Sequence, residues 1–351
     1  MKKKLLPILL LTLLVSACAP VIPSSELPSS EISSETPVSS EEASSETPSS
    51  SEEPSSEPSS EESTSSEQSS SEEPSSETPS SEPSSESSSS QEKEPYTGYY
   101  ESINPNATGN KLLAQVRELI VTTHTKFTSY GDSRGGSSGR SDETDYDPNN
   151  KKNLIMFYTQ ASINGNWDGG DTYNREHVWP QSQSNGLWGQ TYGGADMHHI
   201  RPAFSSINST RGNKKFGEVS GGTIKTYSYG GKTYTAGTYN STWEPTDAVK
   251  GDVARIVLYI FVRYNTIANL NKNNLNSSGL NCFTEGKGVG DLPITNVMAG
   301  NKTTAFETLL EWNELDPVDQ LELNRNNGVY NIQGNRNPFI DHPEFVTYIW
   351  G

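Results

Sequence analysis

Between Lys111 and His124, apolar residues fall at Leu112, Leu113, Val116, Leu119 and Ile120, a spacing of three and four that gathers them on one face of an α-helix. The stretch from Asp252 to Asn265 repeats the pattern with Val253, Ile256, Val257, Ile260 and Phe261 and predicts a core helix. Nearer the C-terminus, Asp316-Pro317 predicts an N-cap with proline at the first helical position, followed by Val318 and Leu321 facing inward. Between these helices, Thr223 to Tyr229 and Lys232 to Thr235 flank Gly230-Gly231 and predict a β-hairpin. Gly, Ser and Asn fill 131–139 and 181–194, which read as loops. Helices surrounding short strands predict an α+β fold with a small antiparallel sheet.

This patterning is confined to the last part of the chain. Residues 1–17 carry Lys2, Lys3 and Lys4, the apolar run from Leu5 to Leu14, and Val15-Ser16-Ala17 before Cys18. A basic segment, a short apolar segment and small residues describe a secretory signal, too short to span a membrane as a mature helix. The ending resembles the bacterial lipoprotein box, in which the cysteine, here Cys18, becomes the lipidated N-terminus. Acyl chains burying about 0.8 kcal/mol per methylene hold such a protein on the outer face of the cytoplasmic membrane. Residues 18–94 then form a tract of Ser, Glu and Pro with no aromatic from Pro23 to Glu94. Such a segment buries too little surface to offset chain entropy and is expected to be a disordered stalk, extended by self-repulsion and able to cross a cell wall.

The charge is just as uneven. The chain carries -18 overall, but 19 Glu stand against the single Lys93 between Val21 and Glu94, which leaves only -3 for residues 95–351. Those residues contain all six Trp and are numerous enough for one large domain. Cys282 is their only cysteine, which excludes an internal disulfide and a thiolate metal cluster.

Three segments carry chemistry: Arg175-Glu176-His177-Val178-Trp179-Pro180, Asp196-Met197-His198-His199-Ile200-Arg201-Pro202, and Asn208-Ser209-Thr210-Arg211-Gly212-Asn213. Glu176 and Asn208 offer oxygen ligands suited to Mg²⁺, with Mn²⁺ or Ca²⁺ as alternatives, whereas zinc favours nitrogen or sulfur. His177 can take a proton from water near neutral pH. Phosphodiester hydrolysis needs both functions together. One obstacle is geometric, since neighbours on a regular strand point to opposite faces, so Glu176 and His177 share a site only where the strand bends or ends. Trp179-Pro180 makes an ending reasonable.

These segments resemble the ββα-metal finger core of the bacterial endonuclease I family of secreted, nonspecific nucleases. Lys250 to Arg255 and Gln333 to Phe339 resemble the same family, so the likeness runs from about Tyr99 to Trp350. It implies His177 as general base on the first strand of the finger, Glu176 and Asn208 as metal ligands with Asn208 on the closing helix, and 5′-phosphate products. Some members carry a transition-state arginine between the histidine and the Asp-x-His segment, but residues 178–195 contain none, so Arg201 or Arg211 stands as the candidate for that charge. His199 stands where many members have asparagine.

Arg201, Arg211, Lys214 and Lys215 are expected to line a groove for phosphates, which gives a near-neutral domain modest, salt-sensitive affinity. His198 and His199 are expected to be packing residues rather than zinc ligands, since no His-Glu-x-x-His helix exists. Gly251, Asp252 and Arg255 read as a helix start with a buried ion pair, and Asn335-Arg336-Asn337 as a tie between loops. The resulting expectation is a monomeric, lipid-anchored, metal-dependent endonuclease acting on extracellular DNA and RNA. The rival is a wall-associated nucleic-acid-binding module that has lost catalysis.

Overall fold

The computed structural model describes residues 93–229, 232–274 and 286–351, all within one compact unit, Ser84–Gly351. The signal segment, Cys18, the stalk up to residue 92, the Gly230-Gly231 turn and Cys282 lie outside the described residues. Among the described residues no helix is long and apolar enough to cross a membrane.

In chain order the elements are α1 (Gly109–Thr123), β1 (Tyr146–Asp147), β2 (Asn150–Met156), β3 (Ala161–Asn164), β4 (Tyr173–His177), β5 (Ile200–Phe204), α2 (Ser205–Arg211), β6 (Lys215–Phe216), β7 (Thr223–Tyr229), β8 (Lys232–Tyr239), β9 (Thr242–Glu244), α3 (Lys250–Tyr264), α4 (Ile267–Asn273), α5 (Lys302–Leu315), α6 (Gln320–Gln333), α7 (Pro338–Asp341) and α8 (Glu344–Trp350). The fold is α+β, as the patterning predicts. Among the described residues the strands form three small sheets instead of one: β1-β2-β3, the β4-β5 ribbon, and β6-β9-β8-β7. The third is mixed, since β6 runs parallel to β9. The predicted hairpin is present as β7 and β8, with Tyr229 opposite Lys232.

Helix α3 is the centre of the core, with every residue from Lys250 to Tyr264 buried. Each fully buried Val, Ile, Leu or Phe there contributes about 1.5–3 kcal/mol relative to exposure. It packs against α1, α5 and α7. Helix α1 turns Leu112, Leu113, Val116 and Ile120 inward as its spacing predicts.

The Asp316-Pro317 reading is corrected. Asp316 closes α5, and its carboxylate accepts the Gly251 N–H at 2.9 Å, at the start of α3. The next helix begins at Gln320, capped by Asp319, which accepts the Glu322 N–H at 2.8 Å. Both aspartates have the short acceptor that caps require. The nearer one is held by a tertiary contact that no local pattern encodes.

The polar residues of α3 reach other elements. Arg255 pairs with Glu322 of α6 at 2.5 Å, and Asp252 with Arg201 of β5 at 3.3 Å. The predicted ion pair at the helix start is therefore two pairs, each binding α3 to a different part of the chain. Asn335 and Asn337 tie the segment after α6 to α3, through Tyr259 Oη at 2.7 Å and the Arg255 carbonyl at 3.1 Å.

Candidate active site

Strands β4 and β5 pair antiparallel from Tyr173↔Phe204 to His177↔Ile200, and α2 follows β5 directly and packs back on the ribbon. Alternation places Asn174 and Glu176 on the face that α2 covers, and Arg175 and His177 on the other. On the first face, Asn208 Nδ2 donates to Asn174 Oδ1. On the second, the His177 ring stacks on Tyr130 with centroids 5.2 Å apart. Strand β4 ends at His177, two residues before Trp179-Pro180, so both faces open at the strand terminus. A shallow depression of about 250 Å³ lies there, lined by Arg175, Glu176, His177, Gln181, Asn208 and Arg211 among others. The strand's end thus removes the obstacle of opposite-facing neighbours.

His177 Nε2 lies 3.0 Å from the carbonyl oxygen of Gly194. A carbonyl can only accept, so the imidazole carries its proton on Nε2 and keeps a lone pair on Nδ1. Nδ1 has no hydrogen-bond partner among the described residues. Burial pulls the imidazole below its ordinary basicity; the Gly194 bond opposes this, and the charges of Arg175 and Arg211 reinforce it. The ring is therefore neutral near pH 7 and able to accept a proton.

Gly194 is held firmly. A Cβ at Gly193 would come within 2.4 Å of the Trp188 ring, and one at Gly194 within 2.2 Å of the Gly189 carbonyl oxygen, so only glycines fit this turn. His199 Nε2 donates to the Gly193 carbonyl at 2.5 Å. His198 Nε2 lies 3.1 Å from the Asn335 carbonyl. Neither imidazole faces the depression, and both pack as the sequence predicts. Burial lowers both, His198 to about 4 and His199 to about 3. Beside them, Asp196 accepts from Tyr259, Tyr264 and Gln333 at 2.7, 2.8 and 2.9 Å, which fixes the turn leading into β5.

Glu176 is buried. Its Oε1 accepts from Tyr158 Oη at 2.6 Å and lies 3.1 Å from Arg211 Nη1. Burial raises its carboxyl, and Arg211 and Tyr158 oppose that rise. No hydrogen bond or ion pair among the described residues uses Oε2. Asn208, half-buried, has its amide donor occupied by Asn174, so Oδ1 is the group left to accept. Glu176 and Asn208 thus offer two oxygens at one depression, a donor set suited to a hard divalent ion that keeps most of its waters. Among the described residues no group of three or more His, Cys, Asp and Glu could hold a metal.

The basic residues depart from the expected groove. Arg201 is buried, 2.9 Å from Asp145 and 3.3 Å from Asp252, so two carboxylates already neutralise it, and it does not line the depression. Arg211 lines the depression but points inward, where it donates to the carbonyls of His177 at 3.0 Å and Val178 at 2.6 Å besides pairing with Glu176. It positions the end of β4 and leaves no free charge for a phosphate. Lys214 donates to the Thr210 carbonyl at 2.6 Å, Lys215 opens β6, and neither lines the depression. The cation that does line it without a carboxylate partner among the described residues is Arg175. Arg175 has no role in the sequence pattern alone, although its place two residues before His177 puts both on one strand face. Tyr158 and Gly194 gave no local signal at all, because their partners lie 18 and 17 residues away.

The model of the Endonuclease I family matches residues 108–344. The chain is 40% identical over 261 residues, 72% of this chain and 78% of the other, to a protein named extracellular ribonuclease from Bacillus subtilis (strain 168). It is 38% identical over 266 residues, with the same coverage, to a protein of the same name from Bacillus amyloliquefaciens. A third relative, named endonuclease-1, from Buchnera aphidicola subsp. Acyrthosiphon pisum (strain APS), is 23% identical over 146 residues, 42% of this chain and 44% of that one. A family model spanning most of the folded residues, two long matches and a ββα arrangement around His177 lead to one conclusion: the chain belongs to the Endonuclease I family and is a nuclease.

Proposed function

We propose that this chain is an exported, divalent-metal-dependent endonuclease that hydrolyses both RNA and DNA and leaves 5′-phosphates. The observation that carries the reading is the His177 tautomer. Gly194 holds Nε2–H, so Nδ1 accepts a proton from water at a depression that Glu176 and Asn208 also line. Using water as nucleophile, instead of a ribose hydroxyl, makes the chemistry indifferent to the sugar. Glu176 and Asn208 would hold a Mg²⁺-type ion, or Mn²⁺ or Ca²⁺ in its place, which would supply positive charge to the reacting phosphoryl group and its leaving oxygen.

The chain's own groups then divide the remaining work. His177 accepts the proton at Nδ1, Gly194 retains the tautomer and Tyr130 restrains the ring plane. Arg211 and Tyr158 favour the ionised form of Glu176, against the burial that raises its carboxyl. The names of the two Bacillus relatives support export and action on RNA. Lipidation at Cys18 and a stalk over residues 18–94 place the domain, as a monomer, outside the cytoplasmic membrane.

Incubating the purified protein with plasmid DNA and with RNA, with Mg²⁺ and with EDTA, tests the reading. We expect cleavage of both that EDTA stops, 5′-phosphate ends, and loss of cleavage in a folded His177→Ala variant. Cleavage by His177→Ala at the wild-type rate would remove the base assignment, and binding without chelator-sensitive cleavage would favour a non-catalytic module.

A further inference from the structure

The conclusion that the chain is a nuclease leaves open how a near-neutral domain holds a polyanion. The groove expected from Arg201, Arg211, Lys214 and Lys215 is not present in that form. A different pair of cations stands on the His177 face of β4. Arg175 lines the depression, donates from Nη1 to the Tyr130 carbonyl at 2.7 Å, and lies over the Tyr130 ring at 3.5 Å and the Trp167 ring at 5.1 Å. Arg134 lies over the same Trp167 ring at 5.8 Å. Neither forms an ion pair with a carboxylate among the described residues, and the Nε atom of each is buried with no hydrogen-bond partner.

Two guanidinium groups gathered on one indole, with no carboxylate between them, repel each other. Both arginines stay charged at neutral pH. The arrangement persists because the scaffold enforces it. A Cβ on Gly135, next to Arg134, would meet the Gly165 carbonyl oxygen at 2.2 Å, so the two loops carrying Arg134 and Trp167 close on each other. Tyr173 of β4 donates to that same Gly165 carbonyl at 2.7 Å. Tyr130 joins the pair to the reaction centre, since it contacts both Arg175 and His177.

We propose that Arg134 and Arg175, set by Trp167 and Tyr130, form a subsite for a nucleic-acid phosphate that neighbours the bond being cut. Guanidinium forks match phosphate oxygens, and an anion there relieves the repulsion between the two cations. The subsite rests on the nuclease activity but not on the assignment of His177 as base.

The test measures binding of a labelled single-stranded DNA oligonucleotide to the full chain in EDTA, where no turnover occurs, across a salt series. Arg134→Gln and Arg175→Gln are each expected to weaken binding about tenfold at low salt. Each should also lower the slope of log affinity against log salt by about 0.7. Lys225→Gln, on the exposed hairpin, is the charge-matched control and should change neither. If Arg175→Gln fails to fold, Arg175→Lys keeps the charge without the fork and should lose affinity while retaining the slope. Wild-type affinity and slope in both glutamine variants would overturn the subsite, and so would a loss confined to one of them. An active His177→Ala variant would leave this result standing.

Discussion

Replacing Arg211 with Met distinguishes an internal clamp from a phosphate contact. The guanidinium is 1% exposed and satisfies the carbonyls of His177 and Val178 as well as Glu176 Oε1. Met fills comparable space without charge or donors. The substitution leaves a buried carboxylate unpaired, a loss that costs about 3–5 kcal/mol, with about 1–3 kcal/mol more for each carbonyl left without a donor or water. Relaxation and proton uptake by Glu176 offset part of this, so the expected loss is about 4 kcal/mol and a fall in Tm of roughly 10 °C. Urea denaturation in EDTA reads the change directly. Adding Glu176→Gln should recover about 1–3 kcal/mol, because the variant then buries no unpaired charge. The reasoning is refuted if Arg211→Met unfolds at the wild-type urea concentration while KM rises, since a solvent-facing phosphate ligand would behave in that way.

Four further outcomes follow from the same contacts. Gly194→Ala should cut kcat at least about tenfold with the fold retained, because its Cβ collides with the Gly189 carbonyl and shifts the oxygen that orients His177; unchanged kcat would sink this account. Tyr158→Phe removes a donor to Glu176 and should raise the Mg²⁺ concentration needed for half-maximal rate several-fold, read from a metal titration of nuclease activity. His124, His198 and His199 are held neutral, with values of about 4, 4 and 3, so they bind protons on unfolding. Their stabilising contribution is complete above the unfolded value near 6.5 and declines as pH falls from there towards 4, by about 1.4 kcal/mol per pH unit for each proton taken up; equal denaturation midpoints at pH 7 and pH 5 would contradict it. Asp319→Ala should cost about 1 kcal/mol through the lost cap of α6, whereas Asp316→Ala should act on the start of α3, a difference that hydrogen exchange can localise.

How much of this was legible beforehand depended on whether a residue's partners were local. The 3.6-residue periodicity gave α1 and α3 because it reports which face is buried, and the Gly230-Gly231 pair between two strand-forming runs gave the hairpin, although β7 is almost wholly exposed. Glu176, His177 and Asn208 were recognisable as a set, and the structure brings them to one depression. Charge was the least legible property. Arg201 and Arg211 read as phosphate contacts, but their side chains are matched by Asp145, Asp252 and Glu176, two of which lie 56 and 51 residues from their partner. A sequence shows that an arginine is cationic but not whether a carboxylate has already met it. Arg175 and Arg134 carry no local signal for the complementary reason, since their lack of a carboxylate partner among the described residues is visible only in three dimensions.

Arg325, in α6, donates to the carbonyls of Met197, His198 and Ile200 and pairs with Asp145, which also holds Arg201. The short hairpin-and-helix motif therefore has its floor built by a residue 125 positions downstream of Ile200. A gene cut before α6 would still encode Glu176, His177 and Asn208, yet its product would lack the brace beneath them. Transplanting the motif into another scaffold would require carrying that brace along.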